Sequence, residues 1–168
     1  MTTTDGAYSP SNGGIVAKVD GWSGIIKNCN VSGVVLTNET GPHDGKNMGG
    51  IIGISLFGNS TEISDCKVEN STFNTNSKVG AIAGAFGYSE RAIVNNCIVN
   101  NVNVNGLSST NIQGSSLISG MIGLIYGPET SITNCTLSNS KVDAKYGRCA
   151  GICCHVDGKT SFKNVKIS

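Results

Sequence analysis

Apolar and polar positions along this chain follow one phrase that is written five times: apolar-x-Asn-Cys-x-apolar-x-(Asn/Gly). It reads Ile26-Lys27-Asn28-Cys29-Asn30-Val31-Ser32-Gly33, then Ile63-Ser64-Asp65-Cys66-Lys67-Val68-Glu69-Asn70, then Val94-Asn95-Asn96-Cys97-Ile98-Val99-Asn100-Asn101. The fourth copy is Ile132-Thr133-Asn134-Cys135-Thr136-Leu137-Ser138-Asn139, and the fifth, Phe162-Lys163-Asn164-Val165-Lys166-Ile167-Ser168, has Val in the Cys slot. Cys and the apolar residue two further on share one side of a strand, because strand side chains alternate. The apolar residue three before Cys falls on the other side of a continuous strand. A bend at the Asn or Asp just before Cys resolves the conflict, since these residues tolerate left-handed backbone geometry.

Gly33, Asn70, Asn101 and Asn139 mark a second bend. After it Val34, Leu36, Phe73, Val102, Val104 and Val142 restart an inward pattern. Each copy therefore reads as strand, Asn corner, strand, Asn/Gly corner, strand. The fold expected is all-β, a right-handed parallel β-helix (β-solenoid) of about five coils, each burying its apolar face against its neighbours. Coils ~4.8 Å apart would align Ile/Val, Cys and corner Asn into ladders. No segment carries a helical period.

Upstream of each phrase lies a Gly-rich apolar run: Gly13-Gly14-Ile15-Val16-Ala17, Gly49-Gly50-Ile51-Ile52-Gly53, Gly80-Ala81-Ile82-Ala83-Gly84, Ser119-Gly120-Met121-Ile122-Gly123 and Ala150-Gly151-Ile152-Cys153-Cys154. These runs place coil starts near 13, 49, 80, 119 and 150. Residues 1–12 form a polar N-terminal segment and 13–168 the repeat domain. The runs Gly50-Ile51-Ile52-Gly53 and Gly120-Met121-Ile122-Gly123, each followed by a turn and an Ile-x-(Asn/Asp)-Cys phrase, resemble the GLUG repeat. That Gly-Leu-any-Gly unit occurs in tandem in bacterial surface proteins, including adhesin-like proteins and some secreted IgA-specific peptidases. Ile or Met stands here where the motif has Leu, and the closing Gly becomes Ala17 in the first copy and Cys154 in the fifth. The resemblance implies a cell-surface or secreted repeat module with a structural or adhesive role, set among flanking domains of a larger polypeptide, and it carries no catalytic residues to transfer.

Charge narrows the partners. Twelve Lys and Arg against eleven Asp and Glu give a net charge of +1, with no basic stripe of the kind a nucleic-acid surface needs. No apolar stretch approaches the ~20 residues that span a bilayer, so neither nucleic acid nor membrane insertion is expected. The polar start lacks a signal peptide's charged and apolar regions, and the chain reads as an excerpt of a longer one.

Candidate chemistry is sparse. Cys29, Cys66, Cys97 and Cys135 hold one slot per coil, as a buried ladder requires. Cys149, Cys153, Cys154 and His155 form C-x3-C-C-H, a cluster of zinc-ligand types. Cys153 and Cys154 are adjacent on a strand, however, so they point to opposite faces. No metal and no cofactor is expected. Trp22 and Tyr88 follow the Gly that succeeds each run, while Phe57 and Tyr126 precede it. These four aromatics are the candidate strip for a glycan or host surface protein. Asp20, Glu62, Glu90, Glu129 and Asp157 lie near the same corners, too widely spaced for a calcium cage. Asp44, Asp65 and Asp143 lie at different repeat positions and make no paired-carboxylate site. The reading is a non-enzymatic module. The alternatives are a polysaccharide-active β-helix enzyme with an unrecognised site and an ice- or crystal-binding solenoid, for which the Thr residues fail to recur at one position. Open terminal coils also allow end-to-end self-association.

Overall fold

The computed structural model describes residues 11–20, 23–38, 46–56, 60–87, 91–107, 116–144 and 146–168. The first coil runs through β1 (Ser11–Gly13), β2 (Val16–Asp20), β3 (Gly24–Lys27), β4 (Asn30–Ser32) and β5 (Val35–Asn38). The second comprises β6 (Asn47–Gly49), β7 (Ile52–Leu56), β8 (Ser60–Ser64) and β9 (Lys67–Thr75). The third comprises β10 (Lys78–Gly80), β11 (Ala83–Phe86), β12 (Arg91–Asn95) and β13 (Ile98–Gly106). In the fourth come β14 (Leu117–Ser119), β15 (Ile122–Ile125), β16 (Glu129–Thr133), β17 (Thr136–Ser138) and β18 (Lys141–Ala144). The fifth has β19 (Arg148–Ala150), β20 (Cys153–Val156), β21 (Lys159–Lys163) and β22 (Lys166–Ile167).

Equivalent strands of successive coils pair in parallel, building four sheets: β1-β6-β10-β14-β19, β2-β7-β11-β15-β20, β3-β8-β12-β16-β21 and β4-β9-β13-β17-β22, with β5 on β9 and β18 on β13. This is the parallel β-solenoid of five coils expected from the phrase. One detail differs. The Gly-rich run is two strands, not one segment, because the chain turns sharply between β1 and β2 and between their counterparts.

Both predicted corners hold. Asn28, Asp65, Asn96, Asn134 and Asn164 before the Cys slot have φ of 56, 56, 52, 54 and 54°. Asn70, Asn101 and Asn139 have φ of 50, 53 and 49°, and Gly33 has φ of 68°. Among the described residues, no other non-glycine adopts positive φ. The left-handed corner carries the chain from the third sheet to the fourth. Ile63, Cys66 and Val68 thereby all enter one core, with Val94, Cys97, Val99, Ile132, Cys135 and Leu137 in the coils that follow.

The side chains along the stack tie these corners together. Asn96 Nδ2 donates to Asp65 Oδ1 at 2.7 Å, and Asn164 Nδ2 to Asn134 Oδ1 at 3.1 Å. Between them the ladder steps sideways, with Asn134 Nδ2 donating to Asn95 Oδ1 at 3.1 Å. At the second corner Asn101 Nδ2 donates to Asn70 Oδ1 at 2.8 Å. A third amide row on the outward face of the fourth sheet, absent from the sequence reading, links Asn105 to Asn74 at 2.9 Å and Asn74 to the Thr37 hydroxyl at 3.1 Å.

The first two sheets approach each other too closely for side chains at one row. A Cβ built at Gly84 would overlap the Gly53 carbonyl and lie 2.6 Å from the Met48 nitrogen. At Gly123 it would lie 2.8 Å from the nitrogen of Val79. This row contains the closing Gly of the repeat. Side chains enter this row only in the two terminal coils: Ala17 is exposed in the first, and Cys154 is half-buried in the fifth, its Sγ 3.0 Å from the Arg148 carbonyl.

Candidate functional site

The four-fold Cys slot is structural in its surroundings. Cys66, Cys97 and Cys135 are buried, Cys29 is half-buried, and all four are free thiols. Each Sγ lies near the carbonyl two residues back: Lys27 O at 3.3 Å, Ser64 O at 3.2 Å, Asn95 O at 3.3 Å and Thr133 O at 3.1 Å. Burial pushes the Cys66 thiol above its ordinary value. The Cys135 thiol beside it, together with burial, pushes Cys97 far up. Such thiols keep their protons and pack as small apolar groups.

The C-x3-C-C-H segment is divided as strand alternation requires. Cys153 packs on the main core, whereas Cys154 packs on a second cluster of Ala85, Leu117 and Leu124 on the other side of the second sheet. Burial raises Cys153 to about 12 and Cys154 to about 11. Cys149 is exposed. Among the described residues no three His, Cys, Asp or Glu side chains converge on a point where a metal ion could sit.

Of the candidate aromatic strip, Trp22, Phe57 and Tyr88 lie outside the described residues. Tyr126 is half-buried against the second cluster, and its ring meets His155 edge-on, with centroids 5.9 Å apart and planes at 67°. His155 Nδ1 lies 3.1 Å from Arg148 Nη1. The stack brings His155 to Tyr126 and Arg148, on neighbouring coils and sheets. Tyr126, His155 and Arg148 thus form one polar-aromatic edge, with ring surface and nitrogen donors of the kind that contact sugar hydroxyls.

Among the described residues the corner acids do not line up in one row. Glu62 sits mid-strand in β8, opposite Ile93, while Glu129 opens β16, opposite Arg91. They occupy different rows of the third sheet, two positions apart. Both are ion-paired: Lys27 to Glu62 at 2.9 Å and Arg91 to Glu129 at 2.6 Å. Asp20 pairs with Lys18 at 2.6 Å. Asp65 is a corner residue bonded to Asn96, and Asp143 pairs with Lys141 at 3.0 Å. Glu90 and Asp44 lie outside the described residues. Among the described residues no helix is long and apolar enough to cross a membrane. No protein-family model, curated protein or solved structure matches the chain.

Proposed function

We propose that the chain is a non-catalytic repeat module of a bacterial surface or secreted protein, a stiff spacer that presents its outward faces to a glycan or host surface protein. The observation that carries this reading is the pair of left-handed corners repeated in the coils, tied along the stack by amide hydrogen bonds. Backbone strain at so many matched positions persists only where the surroundings over-determine it, which suits a stiff scaffold. The resemblance to the GLUG repeat supports an extracellular setting. The Tyr126–His155–Arg148 edge supplies the contact surface the reading needs.

Glycan and extracellular-matrix arrays probed with the whole chain, run beside polysaccharide-hydrolysis assays, test the proposal. Saturable binding without turnover, lost in Tyr126→Ala and kept in Ile25→Ser on another face, is the expected result. Turnover would place the chain among polysaccharide-active β-helix enzymes. Silence on both would remove the adhesive role and leave the spacer alone.

A further inference from the structure

Between the third and fourth coils both amide ladders step aside. Asn134 and Asn139 donate not to the corner amides Asn96 and Asn101 but to the residues just before them, Asn95 Oδ1 at 3.1 Å and Asn100 Oδ1 at 3.0 Å. The hydroxyls of Thr133 and Ser138 donate to the same two oxygens, at 2.8 and 3.0 Å. Asn96 and Asn101 meanwhile direct their Nδ2 groups to Asp65 and Asn70 of the second coil. The remainder is the same at each corner. An amide donor, on Asn95 or Asn100, stands beside an amide acceptor, on Asn96 or Asn101, and among the described residues neither has a protein partner.

These two donor–acceptor pairs flank the short limb Cys97–Val99, whose outward side chain, Ile98, is 42% exposed. Ile93 stands outward on the third sheet, beyond Asn95, and is 41% exposed. Residues 92–106 and 130–140 contain no Asp, Glu, Lys or Arg, so the third and fourth coils carry an uncharged belt across these corners. The coils on either side are charged in the same rows: Glu62, Lys67 and Glu69 below, Lys163 and Lys166 above. Both belt coils have a neighbour on each side in all four sheets, so the belt is complete within the stack.

We infer that this belt binds an uncharged oligosaccharide. A sugar hydroxyl both donates and accepts, so neighbouring hydroxyls of one ring engage Asn95 Nδ2 and Asn96 Oδ1 together. A second ring does the same at Asn100 and Asn101, with Ile98 against the C–H surface between them. An acidic sugar would give up water here with no cation to pair with. A peptide strand finds no free sheet edge to extend, because the strands of these coils are paired on both sides. The inference rests on the adhesive reading and adds to it a ligand class and a contact surface separate from the Tyr126 edge.

Native affinity electrophoresis of the whole chain tests it, in gels containing dextran, mannan, galactan or a β-glucan, beside hyaluronan and polygalacturonate. Retardation is expected with at least one neutral polysaccharide, insensitive to added salt, and not with the two acidic ones. Two variants probe the belt, each checked for an unchanged melting temperature. Asn95→Ser with Asn100→Ser removes the open donors and installs the residue that Ser64 and Ser138 already place in those rows. Ile98→Glu brings a carboxylate into the belt, beside Lys67. Each should weaken binding of the retarding polysaccharide about tenfold. Retardation by the acidic polysaccharides as strong as by the neutral ones would overturn the inference. So would belt variants that keep the parent affinity while Tyr126→Ala loses it, an outcome that leaves the adhesive reading standing. Silence in every gel would overturn the inference and remove the glycan contact from that reading as well.

Discussion

One half of each coil is organised by glycine and the other by asparagine. Where the first two sheets meet, the backbones lie so close that Gly53, Gly84 and Gly123 have no room for a Cβ. Where the third sheet turns into the fourth, Asn and Asp take left-handed φ and spend their side chains on hydrogen bonds along the stack. The glycine half is intolerant because of volume, the asparagine half because of backbone torsion. Substitution should separate the two.

The largest effect is expected from Gly84→Val. Its side chain would enter the backbone of Gly53 and Met48, which cannot move without breaking the first two sheets. Overpacking of this kind costs about 3 kcal/mol or more, read as a fall in the denaturation midpoint. Ala17→Val, in the same row but on the exposed first coil, should stay within about 0.5 kcal/mol. Equal losses at both positions would refute the close-approach account. On the asparagine side, Asn96→Ala should cost about 2 kcal/mol: about 1–2 for the left-handed backbone of a residue with a Cβ, with part of the bond to Asp65 lost as well. Asn96→Gly relieves the backbone and should recover about half of that loss. If Gly recovers nothing, the ladder hydrogen bond and not the torsion sets the preference.

The asparagine half was legible because its conflict is local. Ile63 and Cys66 cannot both face inward on a continuous strand, so a bend had to fall at Asp65, and period-two spacing then placed Val68 inside. The Gly-rich run gave no such contradiction. Gly49 to Gly53 is apolar throughout, and only the folded backbone shows that a Cβ at Gly49, Gly50 or Gly53 would meet the carbonyls of Ile52, Ala81 and Ala17, and that two strands lie there. Pairings between coils were equally hidden. Arg91 meets Glu129, and Tyr126 meets His155, only once unequal loops have been folded away and the register fixed. The adjacent thiols were readable for the opposite reason, since Cys153 and Cys154 part by strand alternation alone.

The Cys ladder gives a smaller effect that cuts across the two halves. Val165 already fills this slot in the fifth coil, so Cys97→Val should cost under about 1 kcal/mol, while Cys97→Ser buries a hydroxyl and should cost about 1–2 kcal/mol. The reverse order would mean that the contacts from Sγ to Asn95 O at 3.3 Å and Ile63 O at 3.6 Å outweigh packing. Thiol labelling of the native chain should reach Cys149 first and spare Cys66, Cys97 and Cys135 until unfolding. Partial desolvation, with Asp143 nearby, holds the Cys149 thiol above its ordinary 9.0 although the residue is exposed, so its labelling rate should still be climbing as pH passes that value.

The smallest effect belongs to the outward charges that join coils, tested at Lys27 and Glu62. The hydrogen bond from Lys27, helped by Ser64, holds the Glu62 carboxyl below its ordinary 4.5, and the same bond to Glu62 raises Lys27 above 10.5. A depressed carboxyl contributes stability that is present above 4.5 and lost as pH falls through its folded value. A raised ammonium contributes stability that is complete below 10.5 and lost as pH rises through its folded value. The pair should therefore add a shallow plateau to the pH–stability profile between those limits, lowered by salt because both groups are in solvent. Glu62→Gln should remove that plateau and its salt dependence together, while leaving the Gly84 effect unchanged, because Gly84 packs on Gly53 and Met48 and shares no partner with the pair. A profile of Glu62→Gln that still bends at both limits would mean that other charges set the pH dependence, and that the outward ion pairs select register without stabilising it.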